Sequence, residues 1–177
     1  APLQFADTAH ALFPLMYPAE DRAIKLGSTD HALTDRSPAY WDSAAQHLCA
    51  QFDRRVRERI NAGEINHVSL FAIAPQPLLM LLGTQLIDLV DTDVYHRHRE
   101  PRPTWAWPEQ AGDIAFEIQA PSATTGTPAL ALSLSDTISN DRITVVLGDD
   151  VAIWHVTVST PHNDLIKSRE HLSAFRS

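Results

Sequence analysis

The densest run of chemistry-bearing side chains in this 177-residue sequence is Tyr95-His96-Arg97-His98-Arg99, extended by Arg102. If the run is a strand, its period of two sets Tyr95, Arg97 and Arg99 on one face and the two histidines on the other. Guanidinium groups in such a row suit phosphate oxygens or base edges. The alternative is a solvated basic edge. Two histidines on one side also invite a metal, but a centre needs a third ligand, and no recognised spacing such as H-E-x-x-H supplies one. No metal and no cofactor are therefore expected. Trp105-Ala106-Trp107 follows in a loop rich in proline and tryptophan. Aromatics there either stack on a nucleobase, for about 1–3 kcal/mol per base, or plug the edge of a sheet.

Two further loops close strongly apolar runs: Ala74-Pro75-Gln76-Pro77 and Ser133-Leu134-Ser135-Asp136. In an open α/β sheet, ligands sit beyond the carboxyl ends of the strands, where helix N-termini offer free backbone N–H groups. Gln76, Ser133 and Ser135 would add side-chain hydrogen bonds. Otherwise the serines and Asp136 simply cap a turn. Enzyme motifs fail: the sequence has no G-x-S-x-G elbow, no Walker loop and no G-x-G-x-x-G. His155, His162 and His171 have no partners at informative spacing, and Asp149-Asp150 and Glu20-Asp21 read as solvated carboxylates. The chain reads as a binding module, not a catalyst.

The elements that must position these residues follow from periodicity and punctuation. Ser37 caps, and Pro38 opens, a long amphipathic helix that Gly63 stops. Trp41, Ala45, Leu48, Phe52, Val56 and Ile60 mark its apolar stripe, with Arg54, Arg55, Arg57, Glu58 and Arg59 on solvated faces and Cys49 as a small buried hydrophobe. His67–Ala74 is a strand covered on both sides. Pro75-Gln76-Pro77 opens an apolar helix over Leu78–Val90, and a second strand lies within Asp91–Arg99. Strand, helix, strand is a βαβ unit, which builds parallel sheets. A strand with Ile114, Phe116 and Ile118 follows the 100–112 loop, and another spans Ala129–Leu134. A short helix capped by Asn140 and stopped by Gly148 leads to a last strand, Val151–Ser159, with Trp154 in the core. Ser168 caps a final helix carrying Leu172 and Phe175. Residues 1–36 read as a linker with a short strand near Arg22–Leu26, and residues 37–177 as one domain.

Composition narrows the classes. A hydrophobic fraction of 44% and a charged fraction of 20% are those of an ordinary globular chain. A net charge of -8 opposes long DNA or RNA, although a few local cations can still hold a compact anion. One cysteine excludes an internal disulfide and fits a reducing cytoplasm. No apolar run reaches the ~20 residues of a membrane span.

The segments His67–Gly83, Val94–Arg99 and Trp105–Trp107, with Leu132–Ser135, Pro161–Asp164 and the Ser168–Phe175 helix, resemble the SAVED domain from about Tyr40 to the end. SAVED domains are sensors in bacterial anti-phage (CBASS) effectors, distantly akin to CARF domains. The resemblance implies a Rossmann-like (CARF-like) α/β fold with a mostly parallel sheet flanked by helices. It also implies a cyclic di- or trinucleotide ligand, such as a cGAMP isomer, whose binding drives oligomerisation and activates a fused effector. Tyr95–Arg99 and Trp105–Trp107 look most like members linked to an HNH endonuclease. That nuclease would precede Ala1, because no His/Asn/His site occurs here. A later strand usual in the family is also expected to be missing, leaving the pocket incomplete. The site residues implied are Pro75, Gln76 and Pro77; Tyr95, Arg97, His98 and Arg99; Trp105 and Trp107; and Ser133, Ser135 and Asp136. Two rival readings are a ring nuclease that cleaves the messenger, which turnover would reveal, and an assembly module, which would self-associate without nucleotide.

Overall fold

The structure, a computed structural model, describes residues 3–27, 35–87, 89–99, 102–108 and 112–176. Parts of the 1–36 linker and of the 100–112 loop lie outside the described residues. The contact pattern divides the chain into two compact units: residues up to Arg97 with Thr104–Ala106, and His98–Pro103 with the residues from Trp107 onward.

The first unit is built on one long helix and a parallel strand pair. Helix α2 (Pro38–Phe52) continues through a π-helical turn (Asp53–Arg57) into α3 (Glu58–Asn61). Ser37 and Pro38 start it and Gly63, at φ 72°, ends it, as the sequence predicts. The buried stripe differs at its start, running through Tyr40 and Ala44 rather than Trp41 and Ala45, then Leu48, Phe52 and Val56. These residues recur every four positions. At 3.6 residues per turn, each such step overshoots a full turn by about 40°. The π turn takes up an extra residue and brings Val56 back to the core. The arginines here are not simply solvated. Arg55 donates to Lys25 O, Arg57 to Asp53 and Gln85, and Arg59 to Glu20 and Glu64. Cys49 is half-buried.

Strand β1 (His67–Phe71) leads to helix α4 (Gln76–Leu86) and strand β2 (Asp91–Tyr95), and β1 pairs β2 in parallel from His67↔Asp91 to Phe71↔Tyr95. This is the βαβ unit expected. Leu82 and Leu86 of α4 pack with Leu48, Phe52 and Val56 into one core cluster. Two expectations fail here. Phe5–Leu12 forms a helix, α1, and no strand forms at Arg22–Leu26, which is instead held to the long helix by Arg55 of the π turn and by the Gly27 N–H to Gln51 Oε1 bond. Strand β2 also ends at Tyr95 rather than Arg99, so alternation does not carry Arg97 and Arg99 onto its face.

The second unit holds a mixed sheet in the order β3–β5–β4, from β3 (Phe116–Gln119), β4 (Thr127–Ser133) and β5 (Val151–Val158). β4 and β5 are parallel and joined through helix α5 (Asn140–Leu147), a second βαβ unit. β3 runs antiparallel to β5. The single, mostly parallel Rossmann-like sheet expected from the sequence is thus replaced, among the described residues, by two small sheets, one parallel and one mixed. The β3–β4 link is too short for a crossover helix, so it can only return the chain in the opposite direction. Helix α6 (Arg169–Arg176) is capped by Ser168, whose Oγ accepts the His171 N–H at 3.1 Å. Phe175 on α6 meets Phe116 edge-on, 5.2 Å between centroids. No helix among the described residues is long and apolar enough to cross a membrane.

Candidate functional site

The pleat of the second unit's sheet sorts its side chains by chemistry. In register across the strands, Gln119, His155 and Ala131 form one row and Glu117, Thr157 and Ser133 the next, all on one face. The opposite face carries Ile118, Val156 and Leu132, with Leu130 beside Trp154. The burial is inverted relative to a simple amphipathic sheet. Ala131 and Ser133 are buried while Leu130 and Ile118 are 65% and 74% exposed. Trp154 is only half-buried, above a shallow hollow shared with Pro128, Ala129 and Leu130, rather than in the core.

The polar face floors a cleft of about 710 Å³, within the ~300–1,000 Å³ range of small-molecule sites. A helix that buries no side chain against the floor leaves this space. α5 contributes no buried residue, and its Ile-Thr-Val-Val-Leu stretch is a weak helix former. Val151, Ile153, His155 and Thr157 of β5 lie along the floor, and Gln119 and the loop after it form one wall. Asn140 and Ile138 form the other, and Asp149 and Asp150 stand at one end. Gly126, at φ 95°, lets the chain pass directly over Asp150: a Cβ there would lie 2.6 Å from its Oδ1 and 2.8 Å from its backbone oxygen. Ser133 Oγ accepts the Ile138 N–H at 3.1 Å, fixing the loop between β4 and α5. Asn140 is the first residue of α5, not its cap, which is Ser139. Its Oδ1 lies 2.7 Å from His155 Nε2.

A second cluster in this unit centres on His98, which is 1% exposed. Its Nδ1 lies 2.9 Å from Asp164 Oδ1, and its ring meets Trp107 edge-on at 5.5 Å. His171 is also buried, accepting the Lys167 N–H at Nδ1 and donating through Nε2 to Gly112 O. His155 and His171 therefore do have partners, contrary to the sequence reading. Asn140 and Gly112 lie 15 and 59 residues away, beyond any local spacing, and only Lys167 is near in sequence.

The residues singled out from sequence scatter. Pro75, Gln76 and Pro77 are exposed at the start of α4 in the first unit. Tyr95 is buried and stacked on Phe71 at 4.4 Å, and Trp105, 5% exposed, meets the same ring edge-on. Trp105 thus sits where the plug alternative puts it. Arg97, half-buried, belongs to the first unit, whereas Arg99, exposed, and Trp107, half-buried on His98, belong to the second. Of the Ser133–Asp136 loop only Ser133 lines the cleft; Ser135 is exposed, and Asp136 Oδ1 accepts the Thr137 N–H. Sequence reasoning missed Asn140, His155, Thr157 and Gln119 as cleft residues. The available signal was the polar half of the alternation in β5, His155 and Thr157 opposite Trp154 and Val156.

The family profile described as SAVED, SMODS-associated and fused to various effectors sensor domain, matches residues 48–177, most of the chain. No curated protein is detectably similar to it. A sensor module agrees with a site made of a polar cleft. The chain belongs to the SAVED family, sensors of cyclic oligonucleotides in anti-phage defence.

Proposed function

We propose that residues 37–177 are the sensor domain of a cytoplasmic bacterial CBASS effector. It binds a cyclic di- or trinucleotide, such as a cGAMP isomer, and activates a fused nuclease of the HNH type through ligand-driven oligomerisation. The observation that carries this reading is the 710 Å³ cleft floored by the sheet's polar face, in a chain of a cyclic-oligonucleotide sensor family. In the second unit Arg99 would neutralise phosphate, Trp107 would offer a ring for stacking and Ser133 would add a hydrogen bond; Gln76 and Arg97 are candidate contacts of the first unit taken by itself. Ligand can drive assembly only by binding the assembling state more tightly.

Isothermal titration calorimetry of this chain against cyclic di- and trinucleotides of mixed base and linkage tests the reading. Selective binding of one member is expected. Silence across the panel sinks it, and turnover of the ligand would convert the sensor into a ring nuclease. Arg97→Ala and Arg99→Ala are expected to weaken binding, and unchanged affinity in both removes them from the site. A second reading, assembly without nucleotide, is favoured by the exposed Ile118, Leu130 and Leu132 face. Concentration-dependent association in nucleotide-free buffer would support it.

A further inference from the structure

The cleft's charge is wrong for phosphate. Its described lining holds no lysine or arginine, and Asp149 and Asp150 stand on it. A phosphate there would meet like charge in a partly desolvated site, so the cleft suits the uncharged, donor-bearing part of a nucleotide.

His155 is placed to read that part. It sits mid-strand on the cleft floor, with Gln119 of β3 its register partner on the same face. Asn140 Oδ1, 2.7 Å from His155 Nε2, can only accept a hydrogen bond. The ring proton is therefore held on Nε2, leaving Nδ1 as an acceptor. Among the described residues, no hydrogen bond reaches that Nδ1. Gln119, across the strand boundary at the ~5 Å spacing of paired Cβ atoms, adds amide donors next to this acceptor.

Building on the sensor reading, we propose that His155 is the specificity-determining residue of this cleft. Oriented by Asn140, its Nδ1 accepts the exocyclic amine of an adenine, while the Gln119 amide donates to the neighbouring ring nitrogen. Adenine offers that pair, an amine donor beside a ring-nitrogen acceptor. Hypoxanthine places a carbonyl oxygen where adenine has its amine, so it would set a lone pair against the Nδ1 lone pair. Asn140 acts as a positioning residue through the ring tautomer.

The test compares cyclic di-AMP, cyclic tri-AMP and cyclic GMP–AMP with their hypoxanthine analogues, by calorimetry on the full chain, with cyclic di-GMP as a control. The amine-bearing member is expected to bind about tenfold or more tightly than its analogue, the effect of one neutral hydrogen bond. In His155→Leu that ratio should fall to about one. Asn140→Ala, on the exposed helix surface, should lower the ratio without unfolding the protein. Imidazole nitrogen spectra should show the proton on Nε2 in the unsubstituted chain and a mixture of tautomers in Asn140→Ala. An undiminished ratio in both variants, or a proton resident on Nδ1, overturns the inference while leaving the sensor reading intact. So does binding of cyclic di-GMP alone. If no probe binds, the sensor reading falls and this inference with it.

Discussion

The chain builds the same βαβ unit twice and packs it in two different ways. In β1–α4–β2 the helix drives Leu82 and Leu86 into a cluster with Leu48, Phe52 and Val56 of the long helix. In β4–α5–β5 the helix buries no residue, and Val145 and Val146 are 85% and 78% exposed. The floor beneath it mixes Val151 and Ile153 with Ser133, His155 and Thr157, and a cleft remains where the first unit has a core. Parallel strands and a crossover helix are therefore only a frame. Whether the helix buries side chains against the sheet decides whether the frame is filled or left open to a ligand.

The sharpest way to break this comparison is to truncate an apolar side chain in each unit. Phe52, 1% exposed at the centre of the first cluster, should cost about 3–5 kcal/mol as Phe52→Ala in urea titration. Val145→Ala on α5 should stay within about 0.5 kcal/mol. Equal losses would mean that α5 is packed as tightly as the first unit's core and that the cleft is not held open by its sequence. Next in size is Gly126→Ala. Its Cβ would press on the Asp150 backbone at 2.8–2.9 Å and keep a left-handed φ, a combination worth about 3 kcal/mol. The backbone at the cleft's acidic end must then shift, so ligand affinity should fall along with stability. Loss of stability with unchanged affinity would detach that end from the binding site.

Much of the frame was legible in the sequence, because the signals that define it are local. Ser37-Pro38, Gly63, Gly148 and Ser168 each act within one turn of the residue that reads them, and all four mark helix ends in the structure. Apolar runs likewise gave β1, β4 and β5. The π turn was hidden because a single overshoot of about 40° between Phe52 and Val56 is too small to stand out in a sequence. Of the cleft, only Ser133 and the polar alternation of His155 and Thr157 were legible. His155 meets Asn140 only because α5 folds back along β5, and His98 meets Asp164 across 66 residues. Tyr95, Arg97 and Arg99 looked like one surface only as long as the strand was taken to continue past Tyr95.

That His98–Asp164 bond gives a smaller test within the second unit. Asp164→Ala removes the acceptor from an imidazole that is 1% exposed. The cost of a buried donor losing its acceptor is about 1–2 kcal/mol. Urea titration should show this loss, and hydrogen exchange should place it near Trp107 and the 161–166 segment. An Asp164→Ala protein as stable as the parent would mean the bond is cosmetic.

The smallest effects lie at the surface and depend on pH. In the first unit Arg59 donates through Nη2 to Glu20 and through Nε to Glu64, tying the stretch around Glu20 to α3. The hydrogen bond from Arg59, and then its charge, hold the Glu20 carboxyl below the ordinary glutamate value. In the second unit the Glu170 carboxyl is also held low, first by its own backbone N–H and then by Ser168. A carboxyl whose folded pKa lies below its unfolded value adds stability that is complete above the unfolded value. That stability is lost as pH falls through the folded one. Acidification should therefore weaken both attachments, but with different reach. Glu20 and Arg59 are separated by 39 residues, so losing their bond frees a segment, whereas losing Glu170 frays one helical turn. Glu20→Gln should raise amide exchange around residues 18–24 already at neutral pH and flatten its acid dependence. Glu170→Gln should raise exchange only in the first turn of α6. Identical acid limbs for Glu20→Gln and the parent would show that the ion pair is screened out in solution, as exposed pairs often are, and that the first unit owes its attachment of this segment to the Arg55 and Gln51 bonds alone.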